Sequence, residues 1–421
     1  MLNPSNRAQR LAASWIFPGL IAAMIIGNQG WMLGPLSAGQ ILSWGNDAAA
    51  AILVLGRFHG RRWPLLLLAV AILLKLATAV GSIAEAADLG FDVVLSILFC
   101  AAGAVIVSKK PSIVYRQLLV IAALSIPVMI VQMTGVAPWS EALNTEHTED
   151  VRAPQPTLFV TEAQLHYRTG QARPAGLTHS NNFLSLLAAF LLALHFSRIK
   201  TPRLTTRDLI VITFAMLTMS KVVLLVSAVV VMWKLVTGIR VERLRMVRVA
   251  GFTVLVLAAY AVFFPGLFTV NTAFYKLSYS FFIRANDFAA LLPEGSAVRE
   301  WLHEQLAGTP RPNKGAVTLS GYAQIITILP YAVVCALLIT PVFYNGFLRV
   351  RRQYPELVDM TVLTLFVVIL FPTAVPMFRA QIFWFVGGFA LLPLFTVWEP
   401  RRFLRPSDGL FTPPRRVQAL R

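Results

Sequence analysis

Acidic residues are scarce in this chain: 19 Asp and Glu stand against 37 Lys and Arg, and charged residues fill only 13% of 421 positions. So low a charged fraction excludes a soluble globule of this size, which needs polar surface to stay in water. Cysteine is nearly missing, and Cys100 and Cys335 both fall in apolar runs, so no disulfide framework is expected. There is no His-x-x-x-His pair, no cysteine cluster and no close Asp-x-Asp pair on an outer loop. No Gly-rich loop follows a strand either, so ATP-driven action is not expected and no cofactor or metal is called for.

What is abundant is apolar sequence, 57% of all residues, with a mean hydropathy of +0.68. Apolar runs near 20 residues recur, and about 20 residues at 1.5 Å each cross a hydrocarbon core. The pattern predicts an all-α polytopic membrane protein, one integral domain over 1–421. The net charge of +18 lies in short basic segments between the runs. That is the positive-inside signature of a membrane protein rather than a nucleic-acid surface. The first run lacks a small-residue cleavage site and reads as a retained helix.

In chain order, helices are expected at 11–33, 39–56, 64–81, 90–107 and 117–136, then a first outer loop at 137–179 and a helix at 181–197. The run 208–236 has equally basic flanks, so an even number of crossings must separate them. It is read as two short helices, 208–220 and 222–236, with Ser220-Lys221 at the outer turn; the alternative is one tilted helix with a snorkelling lysine. A helix at 247–265 leads to a second outer loop, 266–320, where Arg299 to Leu306 reads as a short amphipathic helix after the Gly295-Ser296 turn. Helices at 321–344, 358–377 and 380–398 complete about twelve crossings, with both termini on the cytoplasmic side. Asp47 and Lys75 are charges inside helices and are expected to face the bundle and to pair.

This scheme leaves eleven cations outside or within the membrane: Lys75, Arg152, Arg168, Arg173, Lys221, Lys276, Arg284, Arg299, Arg311, Lys314 and Arg379. They oppose the positive-inside rule, and an anionic ligand is the simplest reason for them. The stretch from Ala172 to Leu194 organises the set. Arg173, Pro174 and Gly176 lead through Thr178 and His179 to an apolar helix capped by Ser180 or Asn181. A helix start with an arginine before it suits phosphate, through unsatisfied N–H groups and a bidentate guanidinium. Outward-facing cations of this kind would stabilise a pyrophosphate without metal. Glu162, His179, Asp287, Glu300 and His303 are the available proton acceptors.

The segment Arg173-Pro174-Ala175-Gly176 followed by Asn181 resembles the arginine-Pro/Ser-x-Gly…Asn segment of bacterial O-antigen polymerases and ligases. Ser220-Lys221 looks like the Ser-Arg turn of those proteins, and Leu319-Ser320-Gly321-Tyr322 is similar to their closing His-Asn-Gly-Tyr/Phe segment. The resemblance covers roughly 165–345. It implies a glycosyltransferase type C-like membrane fold in the bacterial inner membrane, acting at its outer face. The implied substrate is an undecaprenyl-diphosphate-linked oligosaccharide whose diphosphate is held by outward-facing arginines. In this chain Arg173 and Lys221 are read in that role, with Arg284 and Arg299 as helpers from the second loop and Glu162 or His303 as the candidate base. Gly176 and Asn181 would shape the turn and cap. Membrane lipids, and assembly proteins such as a chain-length regulator, are the implied partners. Two residues depart from the pattern. Lys221 replaces an arginine, giving a point charge without the fork, and Leu319-Ser320 replaces the His-Asn pair that ligases use. The second departure favours a polymerase over a ligase; a non-enzymatic flippase of lipid-linked sugars is the contrasting class.

Overall fold

The computed structural model describes residues 4–26, 32–33, 36–58, 62–78, 80, 83–109, 111–133, 176–178, 181–197, 201–218, 220–263, 295, 297, 300, 329–371 and 380–398. Helices dominate them: α1 Pro4–Ile26, α2 Ala38–Arg57, α3 Trp63–Ala77, α4 Ala84–Lys109, α5 Pro111–Met133, α6 Asn181–Phe196, α7 Thr206–Leu217, α8 Lys221–Thr237 and α9 Arg240–Phe263. After them come α10 Leu329–Gln353, α11 Pro355–Leu370, α12 Gln381–Ala390 and α13 Leu392–Trp398. A two-residue antiparallel ladder, β1 Met32–Leu33 with β2 Leu36–Ser37, precedes α2.

Local chemistry sets most helix ends. Ser37 and Gln40 form a capping box at the start of α2, and Thr205 and Asp208 form one at the start of α7. Pro111 and Pro355 open α5 and α11, because proline lacks the N–H that a first turn leaves unbonded anyway. Pro393 breaks the last apolar run, expected as one helix at 380–398, into α12 and α13 around Leu391.

Three described helices are long and apolar enough to cross a membrane, over Ala8–Ile25, Gly90–Ser108 and Pro111–Val131. Trp63–Ala77, Asn182–Phe196, Leu357–Leu370 and Gln381–Ala390 are shorter apolar helices. The outer surface matches a lipid environment. Leu66 and Leu73 on α3 are each 65% exposed, and Leu337 and Leu338 on α10 each 68%. Such belts would drive aggregation in water, whereas acyl chains cover them at no cost.

The core centres on α6. Leu184 and every residue from Leu186 to Leu194 are buried, and α6 packs against α5, α7, α8 and α11. A helix apolar on all sides belongs inside a bundle. Glycine sets the contact between α4 and α12: a Cβ on Gly103 would lie 2.1 Å from the Phe385 carbonyl oxygen, and one on Gly388 2.1 Å from that of Cys100. Close backbone approach replaces side-chain interdigitation at such a crossing.

Three expectations need correction. The helix expected to end at 344 runs on to Gln353 through Arg349, Arg351 and Arg352, its described part being Leu329–Gln353. Those cations suit the negative end of the helix dipole, and Pro355 stops the helix two residues later. The basic segment before the helix expected at 247–265 is likewise helical from Arg240, where Glu242 Oε2 accepts from the Ile239 N–H at 3.1 Å. Asp47 and Lys75 interact only through space and do not make the expected direct pair. Asp47 Oδ1 accepts from Gln381 Nε2 at 2.9 Å, while Lys75 Nζ lies 4.0 Å from Asp88 and 5.0 Å from the Phe91 ring centre.

Candidate functional site

Two buried polar clusters fix which helix ends lie together. Asp208, at the third position of α7, accepts from Arg245 Nη2 at 2.7 and 2.8 Å and bonds His195 Nε2 at 2.8 Å. On the far side of that ring, Nδ1 meets the Tyr115 hydroxyl at 2.8 Å. With the carboxylate accepting from Nε2–H, a neutral imidazole leaves Nδ1 to accept the tyrosine proton. Arg245 Nη1 also donates to the Thr201 carbonyl and hydroxyl, each at 3.1 Å. The cluster joins the start of α5, the end of α6, the start of α7 and the start of α9. In the second cluster fully buried Lys234, in the last turn of α8, donates to Glu242 Oε1 at 3.1 Å and to Asp359 Oδ2, while Trp233 Nε1 donates to Asp359 Oδ1 at 3.1 Å.

These contacts gather the basic segments on either side of 208–236 at one end of the bundle. The chain therefore goes out along α7 and back along α8, and the described backbone breaks between them at Thr218–Ser220. Thr218 ends α7 with its hydroxyl donating to the Ala215 carbonyl, and Ser220 is extended at φ −88°, ψ 125°. Lys221 follows as the first residue of α8, half-buried, at the end opposite the basic one.

The same end holds the start of α6. Gly176 takes φ 59°, a left-handed conformation that a Cβ makes costly. A side chain there would also crowd Leu184 at 3.0 Å and Ser125 Cβ of α5 at 3.2 Å. Ser125 and Thr178 are buried beside this turn, and the helix begins at Asn181. Three sequence-derived positions, Gly176, Asn181 and Lys221, thus share one end of the α6–α7–α8 unit. Gly295 also has a positive φ, 77°, at the expected turn in the second loop. Glu162, Arg173, Arg284, Arg299 and His303 lie outside the described residues.

Sequence reasoning missed His195, Tyr115 and the pairing of Arg245 and Lys234. The Thr205-x-x-Asp208 capping pattern was the available signal, since it marks a carboxylate at a helix start directly after a basic segment. Among the described residues, no group of three or more His, Cys, Asp or Glu side chains is arranged to hold a metal ion. Compared with protein-family models, with curated proteins and with solved structures, the chain gives no match.

Proposed function

We propose that this protein is a membrane glycan polymerase. In this reading it has about twelve crossings in a type C-like arrangement, sits in the bacterial inner membrane, and has both termini in the cytoplasm. It transfers an undecaprenyl-diphosphate-linked oligosaccharide onto another lipid-linked glycan at the outer face. The observation that carries the reading is the meeting, at one end of the bundle, of the left-handed Gly176 turn, the α6 start and Lys221. A helix start and a recessed cation together suit a diphosphate, and the Arg173 that precedes the turn would add a bidentate donor.

The chemistry follows from that seat. A hydroxyl of the acceptor sugar attacks the anomeric carbon of the donor, a C–O bond to it forms, and the bond to the diphosphate oxygen breaks. Glu162 or His303 takes the hydroxyl proton. Arg173 and Lys221, with Arg284 and Arg299 from the second loop, stabilise the departing diphosphate, where fixed cations act without having to reorganise.

The test is the length of lipid-linked glycan in cells lacking the protein. Polymerase loss leaves single repeat units exposed outside. Full-length lipid-linked polymer that is never handed on would instead identify a ligase, and absence of exposed units a flippase.

A further inference from the structure

Away from that end unit, α2 carries a row of polar and aromatic side chains outside its buried face. Gln40, Ser43, Trp44 and Asp47 recur at the three- and four-residue spacing of one helical face. The row begins in the first turn of α2 and reaches Asp47 about 10.5 Å further along, at 1.5 Å per residue. That depth is the middle of a 20-residue helix. The neighbouring face, with Ala49, Ala50, Leu53 and Val54, is buried in the core. Asp47 lies at the margin of that core, half-buried, and Trp44 is 56% exposed.

Gln381, the first residue of α12, reaches over this row. Its Nε2 donates to Asp47 Oδ1 at 2.9 Å and to Ser43 Oγ at 3.1 Å. Among the described residues no Lys or Arg nitrogen comes within 4.0 Å of Asp47, and Lys75 acts on it only through space from further off. One amide and a cation beyond 4.0 Å leave the carboxylate with acceptor capacity that lipid chains cannot fill. A polar ligand can fill it. An acid and an amide side by side, flanked by an open indole, fit a sugar ring. Adjacent hydroxyls donate to the carboxylate and to the amide oxygen, the amide nitrogen being already spent on Asp47 and Ser43, and the C–H face of the ring lies on the tryptophan.

We propose that Ser43, Trp44, Asp47 and Gln381 line a second, sugar-binding subsite between α2 and α12, open to the outer face. Its natural occupant, one residue of a lipid-linked glycan, rests on the polymerase reading; its preference for a sugar rests on these four side chains alone. The subsite contacts no diphosphate and takes no part in bond breaking.

The experiment is photo-crosslinking of the whole protein in phosphatidylcholine nanodiscs with two probes. One is dodecyl maltoside carrying a diazirine on its terminal glucose, and the other carries the diazirine on its alkyl tail. Crosslinked peptides are mapped by mass spectrometry. The sugar-borne diazirine is expected to label 40–47 and 381–384, with excess maltose competing, while the tail-borne one labels the exposed leucines of α3. Asp47→Ala should lower sugar labelling about tenfold, the order of effect of one charge-assisted hydrogen bond, and Asp47→Asn less. Tail labelling of the α2 row, or sugar labelling that maltose does not compete, would overturn the proposal. The wild-type pattern decides even if Asp47→Ala fails to fold. Because no diphosphate or polymer enters the read-out, its failure is separable from failure of the glycan-length test.

Discussion

The two ends of the helix bundle treat charge differently. At the basic end, buried Asp208 holds Arg245 and His195, and buried Lys234 holds Glu242 and Asp359, so five helices are tied together by charges that the protein itself satisfies. Away from that end the Lys75–Asp88 pair is exposed and stretched to 4.0 Å, Asp47 at mid-helix meets an amide, and Lys221 opens α8 at the end of the bundle that also holds the left-handed glycine turn. The lesson is that position under the positive-inside rule does not reveal what a cation does. Cations of the basic segments such as Arg245 and Lys234 hold the fold, while in the proposed reading Lys221 serves a ligand.

The comparison is broken most sharply at Arg245. Arg245→Met leaves the Asp208 carboxylate buried without its main counter-charge and should cost about 3–5 kcal/mol, seen as a large fall in melting temperature. The double variant Arg245→Met/Asp208→Asn should recover part of that loss, since no unpaired buried charge remains. Lys234→Met should cost less, about 2 kcal/mol, because Asp359 and Glu242 are partly exposed and regain water. At the other end, Gly176→Ala should cost about 1–2 kcal/mol from the left-handed backbone, and crowding against Leu184 adds to it. A melting curve unchanged by this substitution would show that the turn is not held as described. Smallest of all, Lys221→Met should shift stability by no more than about 1 kcal/mol, the range of a partly exposed cation. Lys221→Arg should keep function, because the guanidinium fork fits phosphate.

Much of the helical layout was legible in sequence because each apolar run is punctuated by proline, glycine or a capping residue. The break inside 208–236 could be read from the equal basic flanks alone, and Thr218–Ser220 is where the described backbone leaves the helix. Partner choice was not legible. Arg245 and Lys234 read as ordinary cytoplasmic cations because their partners, Asp208 and Asp359, are 37 and 125 residues away. Asp47 and Lys75 were matched on depth, but depth says nothing of azimuth, and each turned to a neighbour on its own side. Likewise the end of α10 was placed nine residues early, at 344 rather than Gln353, since its last turns are basic rather than apolar.

The central claim is that charge at the basic end holds the fold while charge at the opposite end serves a ligand. It is tested most directly by measuring melting temperature and glycan polymer output together for purified Arg245→Met and Lys221→Met. The account predicts a large fall in melting temperature for Arg245→Met, and for Lys221→Met a near-normal melting temperature with polymer lost. A Lys221→Met protein that polymerises normally, or an Arg245→Met protein that melts like the wild type, would contradict it.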